Sequence, residues 1–303
     1  MSKLEKKQLV LLDAHAIIHR AYHALPDFKS SAGEPTGALY GVVTMLFKII
    51  KELKPDCIIA CFDRAEPTFR KEKFVGYKAK RPKTEDDLIV QLEKSRDIFK
   101  AFGIPIVDKP GFEADDCIGT IVEQTKNDKN LEIVIASGDM DTLQLVSGHR
   151  VRVYTLRKGI TDTVIYDEQA VKERFGFPPA LVADFKGLRG DPSDNIPGIY
   201  GIGEKTASTL IQNFGSIEDI YRKLKKEREA FKKAGLGERI IALLEEGEDD
   251  ALFSKELGTI RLDAPITFEC LPWQKHFQPE VVDKLFAELG FKSLRERLKT
   301  FLF

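Results

Sequence analysis

Three histidines and one aspartate stand at helical spacing near the start of the chain. His15, His19 and His23 recur every four residues after Asp13, so on a helix they share nearly one face. Histidine and aspartate are ligands that zinc accepts, which makes a zinc site one hypothesis. The alternative is that these histidines pack or face a ligand, and we favour it because one helical face cannot enclose a four-ligand ion alone.

Acidic residues form the larger group of side chains that could carry out chemistry. They follow segments that have the pattern of buried strands. These segments are short, apolar and rich in β-branched residues, and helical periods at 37–53 and 85–103 separate them. The alternation predicts a doubly wound, mostly parallel α/β sheet. The four strand candidates are 8–13, 57–63, 104–107 and 131–137.

Seven acids lie at the ends of these four predicted strands or in the segments that follow them. Open α/β sheets bind ligands at the carboxyl ends of their strands, so the acids are expected to converge. One such aspartate is usually only a helix N-cap, but seven exceed what capping requires. Two carboxylates ~4 Å apart repel by roughly 4 kcal/mol at an effective dielectric near 20, so a cluster must hold protons or cations. Ligand sets made of oxygen favour Mg²⁺ or Mn²⁺ over zinc. The acids are Asp13, Asp63, Glu113, Asp115, Asp116, Asp139 and Asp141.

The segment 187–221 adds two further acids, Asp191 and Asp194, and a Gly-hydrophobic-Gly turn. In this turn, at Gly201 and Gly203, backbone N–H groups can approach a phosphate at a helix N-terminus. The nucleotide-triphosphate motif G-x-x-x-x-G-K-[ST] is not met, because a glutamate separates the second glycine from the lysine. A plain helix C-cap at the second glycine is the remaining alternative.

Basic residues are concentrated in the segment 64–83, which has eight of them against two acids. Phe69, Phe74 and Tyr77 are interleaved with these charges. Such a mixture can follow a phosphate backbone and stack on bases. A solvated basic surface helix is the other interpretation of the same segment.

Composition bounds the remaining possibilities. With 303 residues, 43% of them hydrophobic and 31% charged, the chain has room for about two domains. Asp13 interrupts the first apolar run, and no stretch approaches the ~18 apolar residues of a membrane span, so we expect a cytoplasmic protein without membrane association. No C-x-x-C pair occurs, which disfavours a zinc ribbon or a disulfide framework and predicts reduced cysteines. The cysteines are Cys57, Cys61, Cys117 and Cys270.

These motifs together resemble the 5′ nucleases of the flap endonuclease family, a family that includes the N-terminal 5′→3′ exonuclease domain of bacterial DNA polymerases. The resemblance runs from residue 9 to about 207. It implies a PIN-like nuclease domain over 1–175 with a helical arch at about 64–92. A helix-three-turn-helix domain over 176–290 would bind duplex DNA, and 291–303 would form a tail. The matching motifs are LLDAHAIIHRAYHALP, ACFDRAEPTFRKEKFVGYKAKRP, GFEADDCIGT, ASGDMDTLQLV and GDPSDNIPGIYGIGEKTA.

The resemblance also assigns roles to individual residues. Lys78 and Arg81 would reach the scissile phosphate as catalytic residues, and Tyr77 would stack on the neighbouring base. Arg20 and Arg70 would contact DNA. The hairpin residues Gly201, Gly203, Lys205 and Thr206 would bind the duplex backbone, with K⁺ as a possible further ligand. The metal ligands would be Asp13, Asp63, Glu113, Asp115, Asp116, Asp139, Asp141, Asp191 and Asp194.

The implied activity is hydrolysis of DNA phosphodiesters by two Mg²⁺ ions, for which Mn²⁺ could substitute, giving 5′-phosphate and 3′-hydroxyl ends. The implied substrates are 5′ flaps, nicks and 5′ ends in replication and repair. A monomer is expected, with a fused or separate DNA polymerase as partner. The total charge of −1 is compatible with DNA as the substrate, because nine acids are proposed ligands and the remaining chain is basic.

Two positions depart from the usual pattern of the family. Ala14 stands where glycine is common, and Met140 stands where lysine is frequent, so one positive charge is lost beside the expected metal ligands. Two other classes of protein fit these residues less well. A phosphatase would use Asp13 as nucleophile, but His15 occupies the place of its usual second aspartate. A DNA-binding module without catalysis would not need nine acids.

Overall fold

A six-stranded sheet forms the first half of the molecule. The computed structural model describes residues 6–158 and 162–301. Residues 1–5, which begin the predicted nuclease domain, and residues 302–303, which end the predicted tail, lie outside the described residues. The strands are β1 (Lys7–Asp13), β2 (Cys57–Cys61), β3 (Ile106–Val107), β4 (Leu131–Ala136), β5 (Val151–Lys158) and β6 (Asp162–Tyr166).

The strand order is β3-β2-β1-β4-β5-β6, and only the β5–β6 pairing is antiparallel among these neighbours. The predicted doubly wound, mostly parallel sheet is therefore confirmed. In β1, Leu9 and Leu11 belong to one buried cluster, whereas Val10 and Leu12 belong to the cluster on the opposite face. Both faces are apolar because helices cover both, which is why the strand sequences do not alternate.

Fourteen helices occur among the described residues, and the predicted helix at 37–53 is found with the same limits. They are α1 (Ala14–Ala24), α2 (Gly37–Leu53), α3 (Phe69–Lys73), α4 (Asp86–Ala101), α5 (Ala114–Gln124), α6 (Glu168–Phe175), α7 (Val182–Arg189), α8 (Glu204–Phe214), α9 (Ile217–Leu224), α10 (Arg228–Lys233), α11 (Glu238–Glu246), α12 (Glu248–Gly258), α13 (Pro279–Glu288) and α14 (Lys292–Lys299).

The basic segment 64–83 is helical only over α3. Turns follow between α3 and α4, where Lys78 adopts a left-handed φ of 54°. Pro82 contributes to this break, because proline has no N–H and disfavours helical backbone at the residue before it. The expected helical arch thus consists of a short helix, a turn region and the start of α4.

The chain returns to the sheet after α12. The indole N–H of Trp273 donates to the carbonyl oxygen of Pro55 at 2.9 Å. Phe286 of α13 and Leu294 of α14 lie in the same buried cluster as α2 and α4. Although the expected second domain extended to residue 290, α13 packs with the sheet layer rather than with α8–α12.

The expectation that all four cysteines are reduced is wrong for one pair. Cys57 and Cys270 are joined by a disulfide, whereas Cys61 and Cys117 are free and buried. The bonded residues are 213 positions apart in the sequence, and their proximity depends on the return of the C-terminal segment to β2. No local spacing could therefore have revealed the bond.

None of the helices within 6–158 and 162–301 combines the length and the apolar composition that a bilayer crossing requires.

Candidate metal centre and nucleic-acid interface

The carboxyl ends of four parallel strands bring acidic side chains to one cavity. Asp13 ends β1, and Asp63 lies two residues beyond β2. Glu113 and Asp115 stand at the start of α5, after β3, and Asp139 follows β4. All five side chains line a cavity of about 210 Å³. The convergence expected from strand-end positions is thus observed for these acids.

Burial and mutual repulsion favour the protonated form of part of this cluster when no cation is bound. Burial raises the pKa of Asp13 from 3.8 to about 7; a hydrogen bond from Ala16 opposes the shift, and the charge of Asp63 adds to it. Burial, with the charge of Asp13 next, also raises the pKa of Asp115 well above its ordinary value. Asp115 Oδ1 is buried and has no hydrogen-bond partner within 6–158 and 162–301. This oxygen fits a hard cation, which would supply the missing contact and charge.

A second group of acids lies where the helical region meets the sheet. Oxygens of Asp141, Asp191 and Asp194 lie within 4.8 Å of one another. Lys186 on α7 inserts its ammonium group here, 2.6 Å from Asp191 Oδ2 and paired with Asp141. Burial acts to raise the pKa of Asp191, but the charge and hydrogen bond of Lys186 lower it to about 2.

Sequence reasoning missed Lys186. Lys186 lies five residues before Asp191 and immediately precedes the acidic segment 187–221, and this proximity was the available signal. A buried ammonium group in an acidic cluster keeps the metal-free protein close to electroneutral at this point. Lys186 therefore occupies part of the space that a cation bound by these acids would need.

Three residues of the basic segment also reach the acids. Lys78 Nζ donates to Glu113 Oε1 at 2.8 Å, and Arg81 forms an ion pair with Asp194. The Tyr77 hydroxyl donates to Glu113 Oε2 at 3.1 Å, and its side chain is only 4% exposed. Stacking of Tyr77 on a base, as expected from the resemblance, therefore requires this segment to move from its position here.

Arg70 and Asp116 form a buried pair that does not fit the roles expected for them. The Arg70 guanidinium donates to both Asp116 oxygens at 2.8 Å and to the carbonyl oxygens of Leu257 and Thr259 at 2.9 Å. Asp116 also accepts two backbone N–H groups and is fully buried. Arg70 is 3% exposed and so cannot contact DNA here, and Asp116 has no oxygen available for an ion. The pair joins α3, α5 and the end of α12.

Replacing Arg70 with Met is expected to destabilise the protein by about 3 to 5 kcal/mol, because the Asp116 charge would remain buried without its partner. Denaturant unfolding measures the change. As a control, Arg295→Met breaks the exposed Asp283–Arg295 pair and should cost far less, because solvent screens an exposed ion pair. Equal effects of the two substitutions would contradict a structural role for Arg70.

Two of the three histidines lie beside the acidic cavity, and the third, His23, neighbours His19 with ring centroids 6.4 Å apart. His15 and His19 line the cavity, and His15 Nδ1 accepts the backbone N–H of Asp63 at 3.2 Å. Burial is the main cause that lowers the pKa of both His15 and His19. Among the described residues, the donor group close enough to share one ion contains three aspartates and no histidine. The zinc hypothesis from the opening spacing thus finds no support in the geometry.

We therefore expect the purified protein to hold no stoichiometric zinc, and His15→Gln, His19→Gln and His23→Gln each to leave its metal content unchanged. Elemental analysis of the wild type and the three variants measures this. About one equivalent of zinc in the wild type, lost in His19→Gln, would restore the zinc site that the helical spacing allowed.

The glycine turn at the start of α8 presents backbone to the surface. Gly201 has a left-handed φ of 89°, which favours glycine. Gly203 precedes α8, and a Cβ added to it would meet nothing within 4 Å. First-turn N–H groups of a helix have no intrahelical acceptors, so this open end is suited to an anion. Lys205 is exposed and Thr206 half-buried beside it, while Arg20 is half-buried on α1.

The sheet with acids at its carboxyl end, followed by a helical unit, is the architecture of known 5′ nucleases. The structure of T5 5′-exonuclease with bound zinc has a TM-score of 0.67 and 22% identity, covering 94% of this chain and 99% of that one. A T5 flap endonuclease complex with DNA and metal ions gives a TM-score of 0.68 and 20% identity, covering 98% of each chain. At such identities, the likeness establishes the fold.

Sequence comparison establishes the family. Residues 8–176 match the 5′-3′ exonuclease N-terminal resolvase-like domain, and 177–278 match the 5′-3′ exonuclease C-terminal SAM fold. The chain belongs to the 5′-3′ exonuclease family, as its motifs predicted. DNA polymerase I of Bacillus caldotenax is 39% identical over 97% of this chain, which spans 33% of that protein. The chain thus covers about a third of the length of the curated relatives it matches.

Proposed function

We propose that this protein is a divalent-metal-dependent 5′→3′ exonuclease and 5′-flap endonuclease that acts on DNA in replication and repair. The observation that carries the proposal is the convergence of strand-end acids on one cavity into which Lys78 and Arg81 project. Acids suit the cations of phosphodiester hydrolysis, and the basic residues suit the phosphate that is cut. The products would be 5′-phosphate and 3′-hydroxyl ends.

The acids divide into two neighbouring sets that would each contribute to holding one ion. Among the described residues, only the second set has three oxygens within 4.8 Å of one another, so the side chains of the first would draw together around their ion. Both sets contain only oxygen donors, which favours Mg²⁺ or Mn²⁺, and the unpartnered Asp115 Oδ1 fits such an ion. When bound, these ions would activate water and stabilise the leaving 3′-oxygen. The first set is Asp13, Asp63, Glu113, Asp115 and Asp139, and the second is Asp141, Asp191 and Asp194.

The basic residues around the cavity would act by exchanging partners. Lys78 and Arg81, now paired with Glu113 and Asp194, would turn to the scissile phosphate and neutralise charge that develops on it during hydrolysis. The same movement would expose the ring of Tyr77 for stacking on the adjacent base. Arg20 would hold a neighbouring phosphate from α1.

The turn before α8 would hold the duplex part of the substrate. Gly201 and Gly203 let backbone N–H groups approach phosphate, and Lys205 and Thr206 lie beside them. K⁺ could support this contact. Because backbone contacts carry no base information, we expect binding to duplexes that carry flaps, nicks or 5′ ends regardless of sequence. We infer a monomer that works with a fused or separate DNA polymerase.

A flap-cleavage assay tests the proposal against its alternatives. The substrate is a duplex with a labelled 5′ flap, incubated in EDTA and then with Mg²⁺, Mn²⁺ or Ca²⁺. The expected result is metal-dependent release of the flap and of short 5′-phosphorylated products. Release of inorganic phosphate alone from a 5′-phosphorylated substrate would indicate a phosphatase, and tight binding without cleavage would indicate a binding module.

A further inference from the structure

Tyr200 is unusually exposed for a large apolar side chain. It is 93% exposed, and the next most exposed is Val75 at 78%, whereas the other exposed large hydrophobic residues reach at most 45%. Tyr200 lies in the turn before α8, and Val75 lies in the basic segment. The two most exposed apolar side chains of the described residues thus belong to the two segments assigned to DNA. A large ring held in solvent within a segment assigned to DNA is available to pack against that partner.

The loop around Tyr200 is fixed on both sides. Ile199 and Ile202 are 4% and 3% exposed, and Ile199 N donates to the carbonyl oxygen of Leu188 at 2.9 Å. Gly198 and Gly201 adopt left-handed φ angles of 62° and 89°. Two buried anchors and two turn glycines therefore hold the backbone while the ring between them stands in solvent. Tyr200 is therefore exposed because of the fixed geometry of the loop, not because the segment is frayed.

The surface beside Tyr200 suits a polyanion. The open position at Gly203 lies three residues further, followed by exposed Lys205. Arg239 also reaches this turn, since its Nη2 would lie 3.8 Å from a Cβ added to Gly201. The acid of this turn, Glu204, lies 3.9 Å from Arg189. An apolar ring next to basic side chains and open backbone matches the alternation of sugar and phosphate along a DNA strand.

We propose that Tyr200 is a substrate-positioning residue that packs its ring against a deoxyribose of duplex DNA, next to the phosphate that approaches Gly203. The inference deepens the proposed function and rests on it. Every nucleotide offers the same apolar sugar face, so the contact is independent of sequence. Tyrosine suits the task because it provides a large, rigid surface at low conformational cost. The contact fixes where the duplex lies along the protein and therefore how far the DNA extends from the turn towards the metal centre.

The test compares Tyr200→Ala with Tyr200→Phe in binding of a fluorescent flap duplex in EDTA, measured by anisotropy at fixed salt. We expect Tyr200→Ala to raise Kd at least about 5-fold, as loss of an aromatic contact does, and Tyr200→Phe to stay within about 2-fold of wild type. The slope of log Kd against log salt should be unchanged in Tyr200→Ala, because no charge is removed. Lys205→Ala should lower that slope by about one.

Three controls separate this inference from the proposed function. Val281→Ala on α13 removes another exposed side chain and should leave Kd unchanged. If Gly203→Val weakens duplex binding but Tyr200→Ala does not, the inference about Tyr200 is wrong while the proposed function stands. If neither variant weakens binding, the turn does not hold duplex and that part of the proposed function fails as well. An equal loss on single-stranded DNA would overturn the assignment to a duplex sugar.

Discussion

Asp115→Asn is expected to abolish cleavage and at the same time to stabilise the metal-free protein. The substitution removes a ligand oxygen from the centre of the acidic cavity, so the single-turnover rate should fall by at least about 10³-fold. It also removes a carboxyl group whose pKa is raised by burial and by Asp13. Relief of this burial and repulsion should raise the free energy of unfolding in EDTA.

The pH dependence of this stabilisation follows from the direction of the shift. A carboxyl with a raised folded pKa binds more protons in the folded than in the unfolded state, so its presence destabilises the fold increasingly as pH rises. The advantage of Asp115→Asn should therefore be larger at pH 8 than at pH 5. Melting curves in EDTA at both values measure it, and added Mg²⁺ should stabilise the wild type more than the variant.

The matched control neutralises an exposed acid. Glu288→Gln on α13 should change neither the cleavage rate nor the difference between the melting temperatures at pH 5 and pH 8. Turnover of Asp115→Asn close to wild type would mean that the strand-end acids are not the ligands of the catalytic ions.

Lys78→Ala should lower the single-turnover rate at saturating enzyme by about 10²- to 10³-fold, because its contact strengthens as charge develops on the phosphate. Gly203→Val should instead raise KM with little change in that rate, which is the pattern of lost uniform binding. Gly203 has an extended backbone with φ of −93°, and nothing lies within 4 Å of an added Cβ. Valine is therefore tolerated by the fold and interferes only where phosphate approaches.

Kinetics on one 5′-flap substrate at fixed ionic strength distinguish the two effects, since phosphate contacts make affinity steeply dependent on salt. Lys80→Ala serves as a control for the loss of positive charge, because Lys80 is exposed beside Lys78; it should weaken binding slightly without slowing the cleavage step. A rate in Gly203→Val as low as that in Lys78→Ala would refute the division between a duplex-binding turn and a catalytic segment.

Local patterns were sufficient for much of the fold. The helix at 37–53 was found with the same limits because its apolar period runs unbroken to Lys54, which ends it in a left-handed conformation. Asp13, Asp63 and Asp139 converge because strand ends meet at one edge of a parallel sheet, a consequence of topology that needs no coordinates. β5 and β6 were not predicted; β6 lies at the edge of the sheet and is half-exposed over most of its length, and β5 pairs with it in the antiparallel direction.

The contacts that sequence reasoning could not provide join distant parts of the chain. Arg70 was expected to contact DNA because it stands among basic residues, yet tertiary packing brings it to Asp116, 46 positions away. The same packing engages both oxygens of Asp116. In the sequence, Asp116 stands next to Asp115, and nothing there distinguishes it from the acids that line the cavity. Lys186 likewise becomes part of the site only when α7 packs beside Asp141. In each case the role of a charged side chain depends on the oppositely charged residue that it pairs with in the folded protein. Spacing in the sequence does not identify that residue.

The pairing of Lys78, Arg81 and Lys186 with the acids has a thermodynamic consequence. These groups already neutralise part of the acidic charge, so binding of divalent ions would be an ion exchange in which the incoming cations replace the protein's own. Two of the groups set free in this exchange, those of Lys78 and Arg81, are the ones proposed to meet phosphate. Divalent ions and DNA should consequently be linked ligands, each raising the affinity of the other by the same factor. Neither binding constant is then a property of the protein alone.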